Sequence, residues 1–241
     1  GQDLVNVNAD STWQPLATVM EAAKILGHKS TGLVVTVTAT HATPGATTAH
    51  TVSRSEHHDI IRQMASNRVD VIFGGGVDYM DDDVKSILED NGITYIEKDV
   101  PAFRAVEKAP VWSLFAGEDM AFDLDRDTLA EPSLCEMTEK ALSLLSKDKN
   151  GFFLMVEGSK VDFEAHSNDA TGILSEFGAF DRAVAVALDY ARRNGNTAVI
   201  VVPYHCTAGV NFGDKHYHDY VKNGLDSLMV GLKDIKLTAS L

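Results

Sequence analysis

The sequence predicts an α/β protein with a mostly parallel central sheet and helices on both faces. Short apolar runs rich in β-branched residues alternate with segments of helical spacing along the chain. The runs are continuously apolar rather than alternating, as expected of strands covered on both faces. With 241 residues, 44% of them hydrophobic, the chain can bury a large core, and we predict a single domain over residues 1–241.

The first hundred residues contain three helix and strand pairs in alternating order. Each helical segment has apolar residues three or four positions apart, and two of these segments end at a glycine, Gly27 and Gly92, which favours helix termination. Each strand is rich in Val, Ile or Thr. The predicted helices are residues 18–26, 55–67 and 81–91, and the predicted strands are residues 32–39, 69–73 and 93–96.

The second half continues the alternation. Ser133, with Glu136 three residues later, has the pattern of a capping box and predicts the start of a helix. The turn Asp148-Lys-Asn-Gly151 leads into an apolar run that predicts a buried strand. The predicted helices are residues 133–146 and 174–193, and the predicted strands are residues 151–156 and 197–202.

Composition excludes several classes of function. A formal net charge of -14 argues against a nucleic-acid partner, because phosphate backbones require basic patches. No run of about 18 apolar residues predicts a membrane span, and no signal segment opens the chain. The two cysteines, Cys135 and Cys206, lack C-x-x-C spacing, which excludes a disulfide framework or a thiolate zinc site.

Three side chains that can bind metals follow one predicted strand. Glu157 comes at the end of the strand at residues 151–156, and Asp162 and His166 follow with a spacing of four. A helical turn that starts near Asp162 would bring this carboxylate and imidazole together at a cation. Alternatively, Glu157 caps a helix and Asp162 and His166 form a solvated helical pair. This segment alone does not separate the two interpretations.

Polar side chains also follow two other predicted strands. His41 and Thr43 come after the first strand, with Arg54 eleven residues beyond Thr43, and His205 comes after the last strand. Sites in parallel sheets lie beyond the carboxyl ends of the strands. We therefore expect the three strand ends to form one shared site.

From about residue 15 to residue 209, the chain resembles the alkaline phosphatases. The motifs that carry the resemblance are His41-Ala-Thr-Pro44, Ala49-His50, Ser53-Arg54, Phe73-Gly-Gly-Gly76, Pro132-Ser-Leu134, Met155-Val-Glu-Gly158, Asn168-Asp169 and a degenerate Thr-Ala-Asp-His-x-Thr-Gly-Gly around His205. The resemblance implies an alkaline-phosphatase-like fold, incomplete in this chain. It also implies a phosphomonoester hydrolase that uses two zinc ions, magnesium and a phosphoserine intermediate.

The resemblance assigns the metal ligands residue by residue. Thr43 and Glu157 match positions of the magnesium site. Asp162 and His166 match ligands of one zinc ion, and His205 matches a ligand of the second zinc ion. In such a site one cation lowers the pKa of the nucleophile and the other stabilises the leaving oxygen.

The resemblance also assigns two residues near the substrate. Arg54 matches the arginine that holds the substrate phosphate, a task that suits a planar guanidinium because it donates two parallel hydrogen bonds. His41 lies where the family has an acid or a histidine near the magnesium, so we expect it to support the ligands rather than to bind the metal. The family further implies a small phosphomonoester substrate, a possible homodimer, and a periplasmic or secreted location.

The chain departs from the family pattern at several points. The nucleophilic serine of an Asp-Ser-Ala segment and the metal-binding Asp of an Asp-Gly-Met-Gly segment are not found in this sequence, and a third zinc-binding histidine of the family lies beyond its last residue. Tyr204 stands where the family has an Asp before His205, and a neutral phenol is a poor zinc ligand. We expect this chain alone to be inactive or strongly impaired.

Two hypotheses remain open. The chain is either an incomplete stretch of a phosphomonoester hydrolase or a degenerate, non-catalytic family member that keeps the fold and a weak cation site. Four other residues could in principle replace the missing nucleophile or zinc ligands, but their sequence context favours other roles. Ser11 is better explained as a helix cap, His216 and His218 as parts of an exposed acidic loop, and Cys206 as pointing away from the side of His205.

Overall fold

The computed structural model describes residues 15–207 and contains one five-stranded sheet in that range. Every strand pair is parallel, and the strand order is β3-β4-β2-β1-β5. The strands are β1 (Ser30–Thr38), β2 (Val71–Gly75), β3 (Thr94–Glu97), β4 (Val111–Leu114) and β5 (Phe152–Glu157). The predicted mostly parallel sheet is confirmed.

The described residues contain eight α-helices, five of which connect successive strands. They are α1 (Val19–Ile25), α2 (Ala42–Ala46), α3 (His57–Ser66), α4 (Asp82–Asp90), α5 (Val100–Ala105), α6 (Leu134–Leu145), α7 (Lys160–Ser167) and α8 (Ala170–Asn194), with a short 3-10 turn at Val77–Tyr79. None of these helices is long and apolar enough to cross a lipid bilayer.

Two apolar cores lie on opposite faces of the sheet. Leu33 of β1 belongs to the core that α1, α3 and α4 cover, and its neighbour Val34 belongs to the core under α5, α6 and α8. Both side chains are fully buried, because successive residues of a strand point to opposite faces. The predicted helices on both faces are confirmed, and this arrangement explains why the strand sequences are apolar without alternation.

Side-chain caps fix several helix starts. Thr18 and Glu21 form a reciprocal capping box at α1. The Ser133 hydroxyl accepts a hydrogen bond from the Glu136 backbone amide at the start of α6, as the sequence predicts. Asp169 caps α8, which begins four residues earlier than predicted. These caps satisfy backbone N–H groups that have no partner within the helix.

The predicted strand at residues 197–202 is wrong. The chain leaves α8 through Gly195 and has no regular secondary structure over these residues. Ile200 is 82% exposed and makes no strand pairing with β5, whose outer edge is unpaired within residues 15–207. The apolar, β-branched sequence of this segment is typical of a buried strand. A strand forms only where its backbone also hydrogen-bonds to a neighbouring strand.

Candidate active site

The carboxyl end of β1 brings a histidine and an arginine together. His41 precedes α2, and its Nε2 atom lies 3.1 Å from an Arg54 Nη atom. Because a guanidinium only donates, His41 Nε2 accepts and its proton resides on Nδ1. Burial, and then the charge of Arg54, lower the pKa of His41. The imidazole is therefore neutral and orients Arg54.

A second histidine, His57, lies beside this pair, although the sequence alone does not predict a role for it. The Nδ1 atom of His57 lies 2.7 Å from the Thr40 hydroxyl, and its ring stacks on Tyr79 with 4.4 Å between centroids. Behind the pair, the Asp119 carboxylate accepts a hydrogen bond of 2.7 Å from the Thr38 backbone amide. These contacts fix the backbone where β1 leaves the sheet.

Glu157 ends β5 and is buried, with only one of its carboxylate oxygens satisfied. Its Oε2 accepts a hydrogen bond of 2.8 Å from the Ser159 hydroxyl, whereas Oε1 has no hydrogen-bond partner among residues 15–207. Burial raises the pKa of Glu157, and the Ser159 and Thr43 hydroxyls lower it. The Thr43 hydroxyl thus acts directly on the Glu157 carboxylate. Glu157 does not cap a helix, because α7 begins only at Lys160.

Asp162 and His166 share one face of α7, as predicted from their spacing. The His166 Nε2 atom lies 3.6 Å from Asp162 Oδ1, and the imidazole is largely exposed. His205 approaches the same carboxylate from the segment that follows α8, with its Nε2 atom 3.8 Å from Asp162 Oδ1. The structure thus brings residues from two separate segments to one side of α7.

Thr207 organises this group, although the sequence alone does not predict a role for it. Its hydroxyl donates to Asp162 Oδ1 over 2.6 Å and lies 3.0 Å from His205 Nδ1. Because the single hydroxyl hydrogen goes to the carboxylate, His205 Nδ1 must donate to the Thr207 oxygen. The lone pair of His205 Nε2 is left free on the side that faces Asp162. The sequence signal for this role is the His-x-Thr pattern of the degenerate motif around His205, in which Thr207 matches the threonine.

Tyr204 lies among the charged residues of the site. Its ring packs edge-on against His205, with 4.4 Å between ring centroids. Burial, together with the negative charges of Asp162 and Glu157, raises the pKa of Tyr204 to about 12, and the charge of Arg54 opposes this shift. The phenol is therefore protonated, and the charged groups that act on it come from three separate segments of the chain.

Two pairs of side chains have donor atoms of the kinds that the implied magnesium and zinc ions prefer. The unpartnered Glu157 Oε1 and the Thr43 hydroxyl are hard oxygen donors, which magnesium prefers. Ligands of one tetrahedral zinc ion lie roughly 3.3 Å apart, close to the 3.6 Å between Asp162 Oδ1 and His166 Nε2. No three His, Cys, Asp or Glu side chains between residues 15 and 207 are arranged to hold one metal ion together.

The remaining residues considered as replacement ligands or nucleophile are not part of the site described above. Ser11, His216 and His218 lie outside the described residues. Cys206 is an exposed free thiol.

A parallel sheet with helices on both faces and charged side chains at the carboxyl ends of its strands defines an α/β protein whose site lies where such sheets place theirs. Comparison gives the family: the profile of the alkaline phosphatases matches residues 2–225. This chain belongs to the alkaline phosphatase family. The predicted alkaline-phosphatase-like fold is thereby confirmed.

Individual relatives agree with the family profile. Alkaline phosphatase 4 of Bacillus subtilis (strain 168) is 36% identical over 224 residues, which cover 88% of this chain and 48% of that protein. The crystal structure of a cold-active alkaline phosphatase from Shewanella sp. superimposes with a TM-score of 0.73 and 34% identity, over 79% of this chain and 46% of the other. The chain therefore spans about half the length of such relatives.

One solved relative has a metal in its site. It is a histidine-to-glutamate variant of the alkaline phosphatase from the Antarctic bacterium TAB5, with magnesium bound in the M3 site. It superimposes with a TM-score of 0.69 and 31% identity over 80% of this chain and 56% of the other.

Proposed function

We propose that this chain carries the phosphate-binding and metal-binding half-site of a phosphomonoester hydrolase of the alkaline phosphatase type. The observation that supports the proposal is a set of contacts at the carboxyl edge of the sheet: Arg54 lies 3.1 Å from His41, whose ring packs edge-on against Phe163, next to Asp162 on α7. Arg54 lies between α2 and α3, Glu157 ends β5 and Asp162 lies on α7. A cation that binds phosphate and anions that bind metals thus lie together at the carboxyl edge of the sheet.

Each residue has a separate role in this proposal. Arg54 binds two oxygens of the substrate phosphate, and neutral His41 orients the guanidinium through the bond to Nε2. Glu157 and Thr43 hold magnesium. Zinc and magnesium, when bound, would neutralise the phosphate and lower the pKa of the attacking group.

The zinc ligands form two groups. Asp162 and His166 bind one zinc ion, and His205 contributes to a second one through its free Nε2 lone pair. Thr207 holds His205 in the required tautomer, as partners of ligating histidines commonly do. We propose a single domain over residues 1–241, a small phosphomonoester as substrate and a homodimer as the assembly.

The second candidate is a non-catalytic family member that retains the fold and a weak cation site. Two observations favour it for this polypeptide alone. No Asp-Ser-Ala nucleophile segment occurs in the sequence, and Tyr204 takes the place of an aspartate ligand. We therefore propose that the chain alone binds phosphate and metal but has little or no turnover.

Isothermal titration of inorganic phosphate into the purified chain tests phosphate binding independently of turnover. Arg54→Ala should abolish phosphate binding, because it removes the guanidinium that donates two hydrogen bonds to the phosphate. The control Arg193→Ala, on the exposed end of α8, should not change phosphate binding. Equal phosphate binding by the wild type and Arg54→Ala would refute the proposed phosphate site.

A rate assay separates the two candidate functions. The chain is incubated with zinc, magnesium and a chromogenic phosphomonoester at alkaline pH. Turnover that disappears in both Arg54→Ala and Asp162→Ala would refute the non-catalytic interpretation. Metal analysis that found two zinc ions per chain at full occupancy would show that the ligand assignment is incomplete.

A further inference from the structure

His57 closes a ring of contacts that includes Arg54. The Nδ1 atom of His57 lies 2.7 Å from the Thr40 hydroxyl, and Thr40 directly precedes His41 in the chain. His41 Nε2 in turn lies 3.1 Å from an Arg54 Nη atom, and Arg54 precedes His57 by one turn of the chain. Two side-chain contacts and two short stretches of backbone therefore connect the end of β1 to the start of α3.

The turn that carries Arg54 has only a local fold of its own. It is closed by a backbone hydrogen bond of 3.3 Å from the Glu56 amide to the Ser53 carbonyl. Glu56, the N-cap residue of α3, makes no side-chain hydrogen bond to the helix. Local bonds set the shape of a turn, whereas contacts with residues distant in sequence set its place relative to the sheet. The bond between His57 and Thr40 is such a contact, and it lies directly beside the turn.

Both partners of this bond are themselves held in place. Thr40 is fully buried, and its hydroxyl lies 3.3 Å from the hydroxyl of Thr38 at the end of β1. The Thr38 backbone amide donates to the Asp119 carboxylate over 2.7 Å. The His57 ring stacks on Tyr79 with 23° between the ring planes. The bond therefore joins two groups whose rotamers are restricted by packing and hydrogen bonds, as the support of a precise site requires.

We propose that His57 is a positioning residue, whose hydrogen bond to Thr40 holds the turn that carries Arg54 against the end of β1. This inference rests on the proposed phosphate site. A guanidinium binds phosphate best through two parallel hydrogen bonds, so its affinity depends on its orientation. His57 sets that orientation from behind and does not contact the phosphate.

The test measures affinity for inorganic phosphate by isothermal titration, with saturating zinc and magnesium to neutralise the carboxylates of the site. His57→Phe keeps a ring on Tyr79 but removes Nδ1, and it should weaken phosphate binding about tenfold, the scale of one lost hydrogen bond. His57→Asn can place its amide nitrogen near the position of Nδ1 and should bind close to the wild-type value. The control is His58→Phe, which changes a largely exposed imidazole that meets the same Tyr79 ring edge-on and should not alter phosphate binding.

A second variant tests the bond from its other end. Thr40→Val removes the hydroxyl and should weaken phosphate binding as much as His57→Phe does. Because both substitutions remove the same bond, the double variant should bind no more weakly than either single variant. Zinc affinity, measured by competition with a chromogenic chelator, should remain at the wild-type value in these variants, since Asp162 and His166 lie on α7, outside the ring of contacts.

The outcomes distinguish this inference from the proposed function. If Arg54→Ala loses phosphate binding while His57→Phe keeps the wild-type affinity, the role of His57 is refuted and the phosphate site stands. The role of His57 is also refuted if His57→Asn binds as weakly as His57→Phe, if the effects of His57→Phe and Thr40→Val add, or if zinc affinity falls together with phosphate affinity. If the wild type and Arg54→Ala bind phosphate equally, both proposals fail.

Discussion

The Thr207 hydroxyl donates a 2.6 Å hydrogen bond to Asp162 and thereby joins the segment that carries His205 to helix α7. The same hydroxyl oxygen accepts from His205 Nδ1 and fixes the tautomer that leaves Nε2 free. One short side chain therefore sets the position of one proposed zinc ligand and the orientation of another. No regular secondary structure performs this task, because residues 197–207 form neither a helix nor a strand.

Thr207→Val should weaken zinc binding about tenfold, because loss of a residue that orients a ligating histidine has effects of about 10-fold to 100-fold. Valine has nearly the same shape and removes only the hydroxyl. Competition with a chromogenic zinc chelator measures the affinity. Thr207→Ser keeps the hydroxyl and should stay near the wild-type value, and equal affinity of the valine variant would show that Thr207 does not orient His205.

Magnesium should stabilise the protein through Glu157. The buried carboxylate has one oxygen without a partner in the described residues, and burial raises its pKa, so its charge destabilises the metal-free fold. Saturating magnesium should raise the melting temperature of the wild type, because a ligand that binds only the folded state stabilises it. Differential scanning calorimetry measures the effect.

The Glu157→Gln variant tests whether the magnesium-induced rise in melting temperature depends on this carboxylate. The amide carries no charge, so this variant should be more stable than the metal-free wild type at neutral pH and should respond little to magnesium. Glu139→Gln on the exposed face of α6 should respond like the wild type. A magnesium response of Glu157→Gln as large as that of the wild type would place the cation elsewhere.

The sequence predicted four of the five strands of the described sheet, and the two strand ends that carry His41 and Glu157, because hydrophobic periodicity and helix caps are local signals. It missed β4 and α5, which are only four and six residues long. The hydrogen bonds of Thr207 and Ser159 were also missed, because they depend on residues that meet only in the folded chain. The predicted pair of Asp162 and His166 needed only a spacing of four on one helix.

Hydrogen exchange can test whether residues 197–202 form a strand, as their sequence predicts, or an irregular segment, as in the structure. Its backbone amides should exchange hydrogen much faster than those of β1, since an amide without a hydrogen-bond partner lacks the protection of a sheet. Hydrogen exchange followed by mass spectrometry or NMR measures this at peptide or residue level. Protection of Val199 to Val202 equal to that of β5 would mean that these residues pair as a sixth strand.

Glu176 should make stability depend on pH. Burial raises the pKa of this α8 carboxyl to about 7, Asp123 and Glu164 also raise it, and Lys160 and the backbone amide of Asp123 lower it. A carboxyl whose pKa is higher in the folded state stabilises the fold when protonated. That contribution is complete below the unfolded pKa, near 4.5, and is lost as the pH rises to about 7 and above.

Glu176→Gln should therefore flatten the decrease in stability between about pH 4.5 and pH 7. At pH 8 the variant should exceed the wild type by roughly 1 to 3 kcal/mol, the free energy that a shift of this size carries. The amide oxygen can still accept the hydrogen bond from the Asp123 amide. Urea unfolding at several pH values gives the comparison, and parallel curves for the two proteins would contradict the assignment.

The effect of Gly172→Ala on the free energy of unfolding should change sign when Glu164 is also replaced by alanine. The Glu164 carboxyl is fully buried against the α8 backbone, and a Cβ atom at Gly172 would lie only 2.3 Å from Glu164 Cδ. Gly172→Ala should thus cost about 1 to 3 kcal/mol through overpacking. In the Glu164→Ala background the space is open, and the same substitution should stabilise α8 by up to about 1 kcal/mol, since alanine favours helix over glycine. Urea unfolding of the four proteins measures the coupling, and an additive result would show that the two side chains do not compete for this space.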